Sequence, residues 1–123
     1  RKARKYKKKI ILFGYTQNIN ELMYIADIVV SKPGGVTTSE VLAKGKPMII
    51  IKPLPGQEAN NTAYLTEKGA ALKVEQPRKI NLVVDDLLRN PYKLSQLCIL
   101  AKGISKPNAS IDIARLLLKG QYV

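Results

Sequence analysis

The chain has 123 residues, enough for one domain, and 46% of them are hydrophobic, so it can build a core and is not a disordered segment. It has no histidine and a single cysteine, which removes histidine general bases, Ser-His and Cys-His pairs, intrachain disulfides, and zinc or copper sites. Its net charge is +12, and Arg1–Lys9 alone hold seven of the twenty-one basic side chains and no acid; without those seven charges the remainder stands at +5.

Arg1–Lys9 read as the basic end of a preceding helix or a tail, with a domain over residues 10–123. Such a run suits an anionic surface, a lipid headgroup layer or a nucleic acid, or is simply a solvated end. No apolar signal-type region follows it, and no stretch approaches the roughly 18 uncharged apolar residues of a membrane span.

Ile10–Gly14 is predicted as a first strand, followed by a turn at Tyr15–Asn18. Ile19, Leu22, Met23 and Ala26 recur at helical spacing. Ile28–Val30 is the second strand, broken by Pro33-Gly34-Gly35, and the next helix runs to Lys44 and stops at Gly45. Met48–Lys52 is a third strand and Pro53–Gly56 a loop. A helix over residues 58–68 stops at Gly69, and Ala70–Val74 is a fourth strand. Three helices complete the chain. Ile80, Val83, Val84, Leu87 and Leu88 stripe the first. Pro91 opens the second, whose apolar face is Leu94, Leu97, Cys98 and Ala101, with Cys98 a core thiol. The last covers residues 109–119. Strands alternating with helices, and strands apolar throughout, predict an α/β fold: a Rossmann-like parallel sheet with helices on both faces.

In such a sheet ligands bind beyond the carboxyl ends of the strands. Three loops open on that edge: Tyr15–Asn18, Ser31–Ser39 and Pro53–Asn61. In Ser31-Lys32-Pro33-Gly34-Gly35-Val36-Thr37-Thr38-Ser39-Glu40, two glycines permit close backbone approach and a helix start offers free N–H groups, a combination suited to phosphate. The segment is neither a Walker A loop nor a GxGxxG fingerprint, and a glycine turn of this kind also serves purely structural ends. Glu40 has two readings. It closes a capping box with Thr37 as N-cap, or it accepts hydrogen bonds from ribose hydroxyls. Gln57, Glu58, Asn60 and Asn61 either read sugar hydroxyls or are ordinary first-turn residues.

Ser31–Glu40, Ala43-Lys44-Gly45-Lys46-Pro47, Pro53-Leu54-Pro55-Gly56-Gln57-Glu58 and Asn61 together resemble the carboxyl-terminal half of the two-domain GT-B glycosyltransferases. The resemblance is to the diacylglycerol glycosyltransferases, monogalactosyldiacylglycerol synthases among them, and more distantly to the N-acetylglucosaminyltransferases that form lipid II. It implies a role for each matching position. Tyr15 and Thr16 would meet the uracil. Gly34, Gly35, Val36 and Thr37 would hold the diphosphate, and Glu40 the ribose. Gln57, Glu58, Asn60 and Asn61 would hold the sugar. The donor implied is a UDP-hexose, bound as substrate with no further cofactor and no metal in this half. The acceptor implied is a lipid such as diacylglycerol, in a cytoplasmic protein peripheral at the membrane.

The departures from the family are expectations too. The domain that would supply the acceptor site is absent from this sequence, as are the first strands of the carboxyl-terminal domain. A partial domain of this kind would leave sheet edges exposed to self-association and would be inactive by itself. Two other classes are a basic nucleic-acid-binding domain, which lacks any RRM, KH or helix-turn-helix signature, and a non-catalytic nucleotide-binding interaction domain.

Overall fold

The computed structural model describes residues 10–120; the basic run Arg1–Lys9 lies outside them. In chain order the elements are α1 (Ile19–Ile25), β1 (Val29–Ser31), α2 (Gly35–Ala43), β2 (Met48–Ile51), α3 (Gln57–Glu67), β3 (Ala71–Val74), a 3-10 turn (Pro77–Lys79), α4 (Ile80–Arg89), α5 (Pro91–Ile104) and α6 (Ala109–Leu118). The three strands form one parallel sheet in the order β1-β2-β3. Val29 faces Met48 across the first pair, and Met48 faces Ala71 across the second.

The central strand explains why the sheet is covered on both sides. Met48, Ile49 and Ile50 are all at most 1% exposed. Side chains alternate across a strand, so Met48 and Ile50 enter one core with Met23 of α1, Val41 and Leu42 of α2, and Leu65 of α3. Ile49 enters the other, with Leu87 of α4 and Leu97 of α5. Helix α5 serves both cores: Leu94 and Leu97 pack on one face of the sheet, Ala101 and Ile104 on the other. Each fully buried Ile of this strand contributes about 1.5–3 kcal/mol of burial free energy.

The helix ends follow the local chemistry read from the sequence. At the end of α2, the Gly45 N–H donates to the Leu42 carbonyl at 2.8 Å and the Lys46 N–H to the Val41 carbonyl at 3.1 Å. This is a Schellman closure, and Gly45 takes φ 60° to make it. The end of α3 repeats the pattern around Gly69. Pro91 occupies the first turn of α5, and the Asn90 side chain caps it by accepting from the Lys93 N–H at 3.1 Å.

Four expectations are corrected. Ile10–Gly14 forms no strand. Ile10 to Phe13 are all exposed, Leu12 at 81%. A parallel strand exists only against a neighbour that completes its ladder, and among the described residues no strand lies beyond β1. Thr37 is not a helix cap, as described below. Leu88 is exposed rather than part of the α4 stripe. Cys98 is half-buried rather than a core thiol. Strand and helix boundaries otherwise move by a residue or so, as when β1 closes on Ser31 instead of Val30.

Candidate functional site

Because β1 and β2 are parallel neighbours, Ser31 pairs with Ile50 and the two chains leave the sheet on the same edge. Residues 32–34 lead from β1 into α2, and residues 52–56 lead from β2 into α3. The two helices therefore start side by side. The loops are joined by one long-range bond: Asn61 Nδ2 donates to the Pro33 carbonyl at 2.9 Å. Pro33 itself is fully buried. The Gln57 side chain closes on the same point, with its amide nitrogen 3.6 Å from where a Cβ at Gly35 would stand.

Helix α2 begins directly after the proline-glycine turn. Gly34 is the N-cap with extended backbone, ψ 148°, and Gly35 is the first helical residue. No side chain caps this end. Thr37 thus sits in the first turn and cannot cap it, and the capping box with Glu40 is not formed. The physical reason is that the glycine pair already turns the chain, so the helix starts three residues earlier than a threonine cap would allow. The first intrahelical bond described is from the Thr38 N–H to the Gly34 carbonyl at 2.9 Å. The N–H groups of Gly35, Val36 and Thr37 precede it and have no partner within the helix. They point along the axis at the positive end of the α2 dipole.

Glu40 is released from the capping role and lies one turn beyond Thr37, on the helix face it shares with Val36 and Thr37 at i+4 and i+3. Among the described residues its half-buried carboxylate has neither a hydrogen-bond nor an ion-pair partner. Its separation from the first turn is about 4.5 Å along the axis at 1.5 Å per residue.

Helix α3 also starts on a glycine. Gly56, at φ 89° and ψ −125°, is its N-cap, and again no side chain caps the end. Glu58 is engaged in its own loop, one oxygen accepting from the Leu54 N–H at 2.7 Å. That bond holds the Pro53–Gly56 turn against the helix. Gln57 and Asn60 are exposed at the helix start. Lys52, where the chain leaves β2, has φ 42°, and is the one non-glycine residue in the left-handed region among those described. Such a conformation costs on the order of 1 kcal/mol and is concentrated at functional turns.

The third loop behaves differently. Tyr15 is 96% exposed. Thr16 Oγ1 accepts from the Asn18 N–H at 3.2 Å and so organises the turn into α1. An open apolar groove of about 290 Å³ separates α1 from β1, lined by Ile19, Met23, Val29 and, from α2, Thr37. Ile19, at the start of α1, thus shares a groove with Thr37, but the Tyr15–Asn18 turn leaves no strand, so it does not open from the sheet's carboxyl edge as the other two loops do. Two structural details had no legible signal. A second groove, of about 210 Å³, runs between α2 and α3 beside Gly35 and Asn61, with Ser39 and Tyr64 on its walls. Within it, Thr38 Oγ1 is buried without a hydrogen-bond partner.

A parallel α/β sheet covered by helices on both faces, whose carboxyl edge gathers two uncapped helix starts, is a Rossmann-like arrangement. The sequence matches the model of the glycosyltransferase family 28 C-terminal domain over residues 1–102. The chain belongs to that family. It is similar to the processive diacylglycerol beta-glucosyltransferase of Bacillus thuringiensis (strain Al Hakam), with 36% identity over 112 residues that cover 91% of this chain and 29% of that protein. The protein of the same name from Bacillus cereus (strain AH820) is also 36% identical over 112 residues, with the same coverage of both chains. The chain therefore spans less than a third of the length of these curated relatives. No helix among the described residues is long and apolar enough to cross a membrane.

Proposed function

We propose that this chain is the donor-binding part of a glycosyltransferase that moves a hexose from a UDP-hexose to a lipid hydroxyl, with diacylglycerol or a glycosylated diacylglycerol as acceptor. The observation that carries the reading is the pairing of two uncapped helix starts, α2 and α3, locked together by the Asn61–Pro33 bond. A diphosphate seated on the N–H groups of Gly35, Val36 and Thr37 is stabilised by the α2 dipole. As the sugar leaves, negative charge builds on that diphosphate, and donors already aimed at it lower the barrier without reorganisation. Glu40, unpartnered and one turn deeper, accepts hydrogen bonds from the ribose hydroxyls. Gln57, Asn60 and Asn61 offer amides to the sugar hydroxyls. Glu58 does so with the carboxylate oxygen that Leu54 leaves free. Tyr15 and Thr16 flank the base.

The names of the relatives support the lipid acceptor. On this reading the enzyme works as a peripheral protein at a membrane surface, on the cytoplasmic side, with the UDP-hexose as donor and no further cofactor.

Calorimetric titration with UDP and UDP-glucose tests the reading. The chain is expected to bind both, and Glu40→Ala to weaken each by more than about tenfold, or ~1.4 kcal/mol. Equal affinity of a folded Glu40→Ala variant and the parent would remove the ribose role. Absence of UDP binding by the folded chain would remove the donor-site reading for this chain.

A further inference from the structure

Two polar side chains are buried among the described residues, Thr38 at 8% exposure and Thr62 at 6%. The fold treats them differently. Thr62 Oγ1 donates to the Glu58 carbonyl one turn back at 2.7 Å, as Ser39 Oγ does to the Gly35 carbonyl at 2.9 Å and Thr66 Oγ1 to the Thr62 carbonyl at 2.8 Å. A hydroxyl inside a helix is commonly satisfied in this way. Thr38 has the Gly34 carbonyl four residues back, where its own N–H already donates, yet its Oγ1 has no partner among the described residues. A buried hydroxyl left unpaired costs stability, and in a native fold it calls for a physical reason.

Thr38 stands on the wall of the groove of about 210 Å³ between α2 and α3. Thr38, Ser39 and Leu42 form the α2 side, and Asn61, Tyr64 and Leu65 the α3 side. No charged side chain is among the described lining residues. The fold has already taken hydrogens from two of the polar ones: Ser39 donates to Gly35 and Asn61 to Pro33, which leaves the Ser39 oxygen and Asn61 Oδ1 as open acceptors. A phosphate only accepts hydrogen bonds, and this lining offers it no cation. A sugar hydroxyl both donates and accepts, and the buried Leu42 and Leu65 suit the apolar carbon face of a sugar ring. Gly35, which also lines the groove, belongs to the proposed diphosphate seat, and Asn61 to the proposed sugar side. Thr38 lies one turn from Gly35, about 4.5 Å along α2 at 1.5 Å per residue.

We propose that Thr38 is a specificity-determining residue of the donor site: its hydroxyl, which the fold leaves unpaired, hydrogen-bonds a hydroxyl of the donor hexose at the α2–α3 groove. The inference rests on the donor-binding reading and adds to it a residue that no capping or sugar-reading pattern in the sequence marks. A hydroxyl already out of water loses little on meeting such a donor. A donor that lacks the matching hydroxyl leaves it orphaned and binds less well.

Thr38→Val keeps the shape and removes the hydroxyl, and Thr38→Ser keeps the hydroxyl. The parent and both variants are titrated calorimetrically with UDP, UDP-glucose and the UDP-deoxyglucose series, each member lacking one sugar hydroxyl. Thr38→Val is expected to bind UDP as the parent does and UDP-glucose about fivefold to tenfold more weakly. Thr38→Ser is expected to restore UDP-glucose binding. One deoxy donor is expected to bind the parent more weakly by a like factor, yet to bind Thr38→Val as well as UDP-glucose does, the non-additivity of a direct contact. Four outcomes overturn the proposal: UDP-glucose affinity unchanged in Thr38→Val; an equal fall for UDP and UDP-glucose, the mark of a structural role; every deoxy donor losing as much affinity in Thr38→Val as in the parent; or a clear loss of stability of Thr38→Val in urea, which means that the hydroxyl is already bonded in the free protein. Each of these with UDP binding by the parent intact removes the Thr38 role alone. Absence of UDP binding by the folded parent removes the donor reading and this proposal with it.

Discussion

Asn61 and Pro33 stand 28 positions apart in the chain, yet the Asn61 side-chain amide reaches the Pro33 carbonyl at 2.9 Å and ties the start of α3 to the turn before α2. Two loops that would otherwise move separately become one rim. The bond is half-buried, so its loss leaves an acceptor that water reaches only in part.

Removing that tie is the first prediction. Asn61→Ala should lower stability by about 1–2 kcal/mol, the cost of orphaning a partly buried carbonyl. It should also weaken UDP-glucose binding more than UDP binding, because the amide is lost from the sugar side as well as from the rim. Thermal denaturation and calorimetry on the same variant read the two effects.

Gly35 offers a way to delete one N–H of the proposed phosphate site and little else. As the first helical residue it lies where proline is tolerated, and Gly34 before it is already extended, as a residue preceding proline must be. Gly35→Pro should keep the fold and cut UDP affinity by about fivefold to tenfold through the missing N–H. Gly35→Ala is the control. A Cβ there meets Gln57 at an ordinary 3.6 Å, so this variant should bind UDP like the parent. Equal binding by both variants would remove the α2 start from the phosphate site.

Glu40 is expected to separate binding from stability. Its carboxylate has no partner among the described residues, so Glu40→Gln and Glu40→Ala should shift the denaturation midpoint little, within about 0.5 kcal/mol. Their UDP affinity should nonetheless fall, while affinity for inorganic pyrophosphate, which has no ribose, should not. A parallel fall for pyrophosphate would place the glutamate on the phosphates instead.

Thr38 is a buried hydroxyl without a partner inside α2. Thr38→Val has the same shape and removes the unsatisfied group, so it should be neutral or stabilising by up to about 1–2 kcal/mol in urea denaturation. A clear destabilisation would show that the hydroxyl is satisfied in solution, for example by an ordered water.

Gly45 carries a two-fold constraint. Its φ of 60° excludes most side chains, and an added Cβ would stand 2.4 Å from the Lys102 side chain. Gly45→Ala should cost about 1–2 kcal/mol from the backbone conformation, and more where Lys102 cannot move aside. Pairing it with Lys102→Ala in a double-mutant cycle separates the backbone term from the contact.

The elements and the rim were legible because they depend on local chemistry. The apolar run at Met48–Ile51 is a strand buried on both sides, whereas the edge strand β1 leaves Val30 exposed; Gly45 and Gly69 stop helices because each takes a left-handed backbone. The parallel order then places Ser31–Glu40 and Pro53–Asn61 on one edge whatever the side chains do. Three features waited on the tertiary structure. Ile10–Gly14 has the composition of a strand, but a strand exists only in a ladder, and among the described residues none pairs with it. Thr37 has the spacing of a cap, but the cap is decided by where the backbone turns, and Gly34 turns it first. The Asn61–Pro33 bond and the unpartnered Glu40 depend on how α2 and α3 pack side by side. Local pattern determined which segments could be helix, strand or binding turn. Only packing, which brings distant residues within hydrogen-bond reach, decided which of their polar groups are spent on the fold and which, among the described residues, have no partner in it.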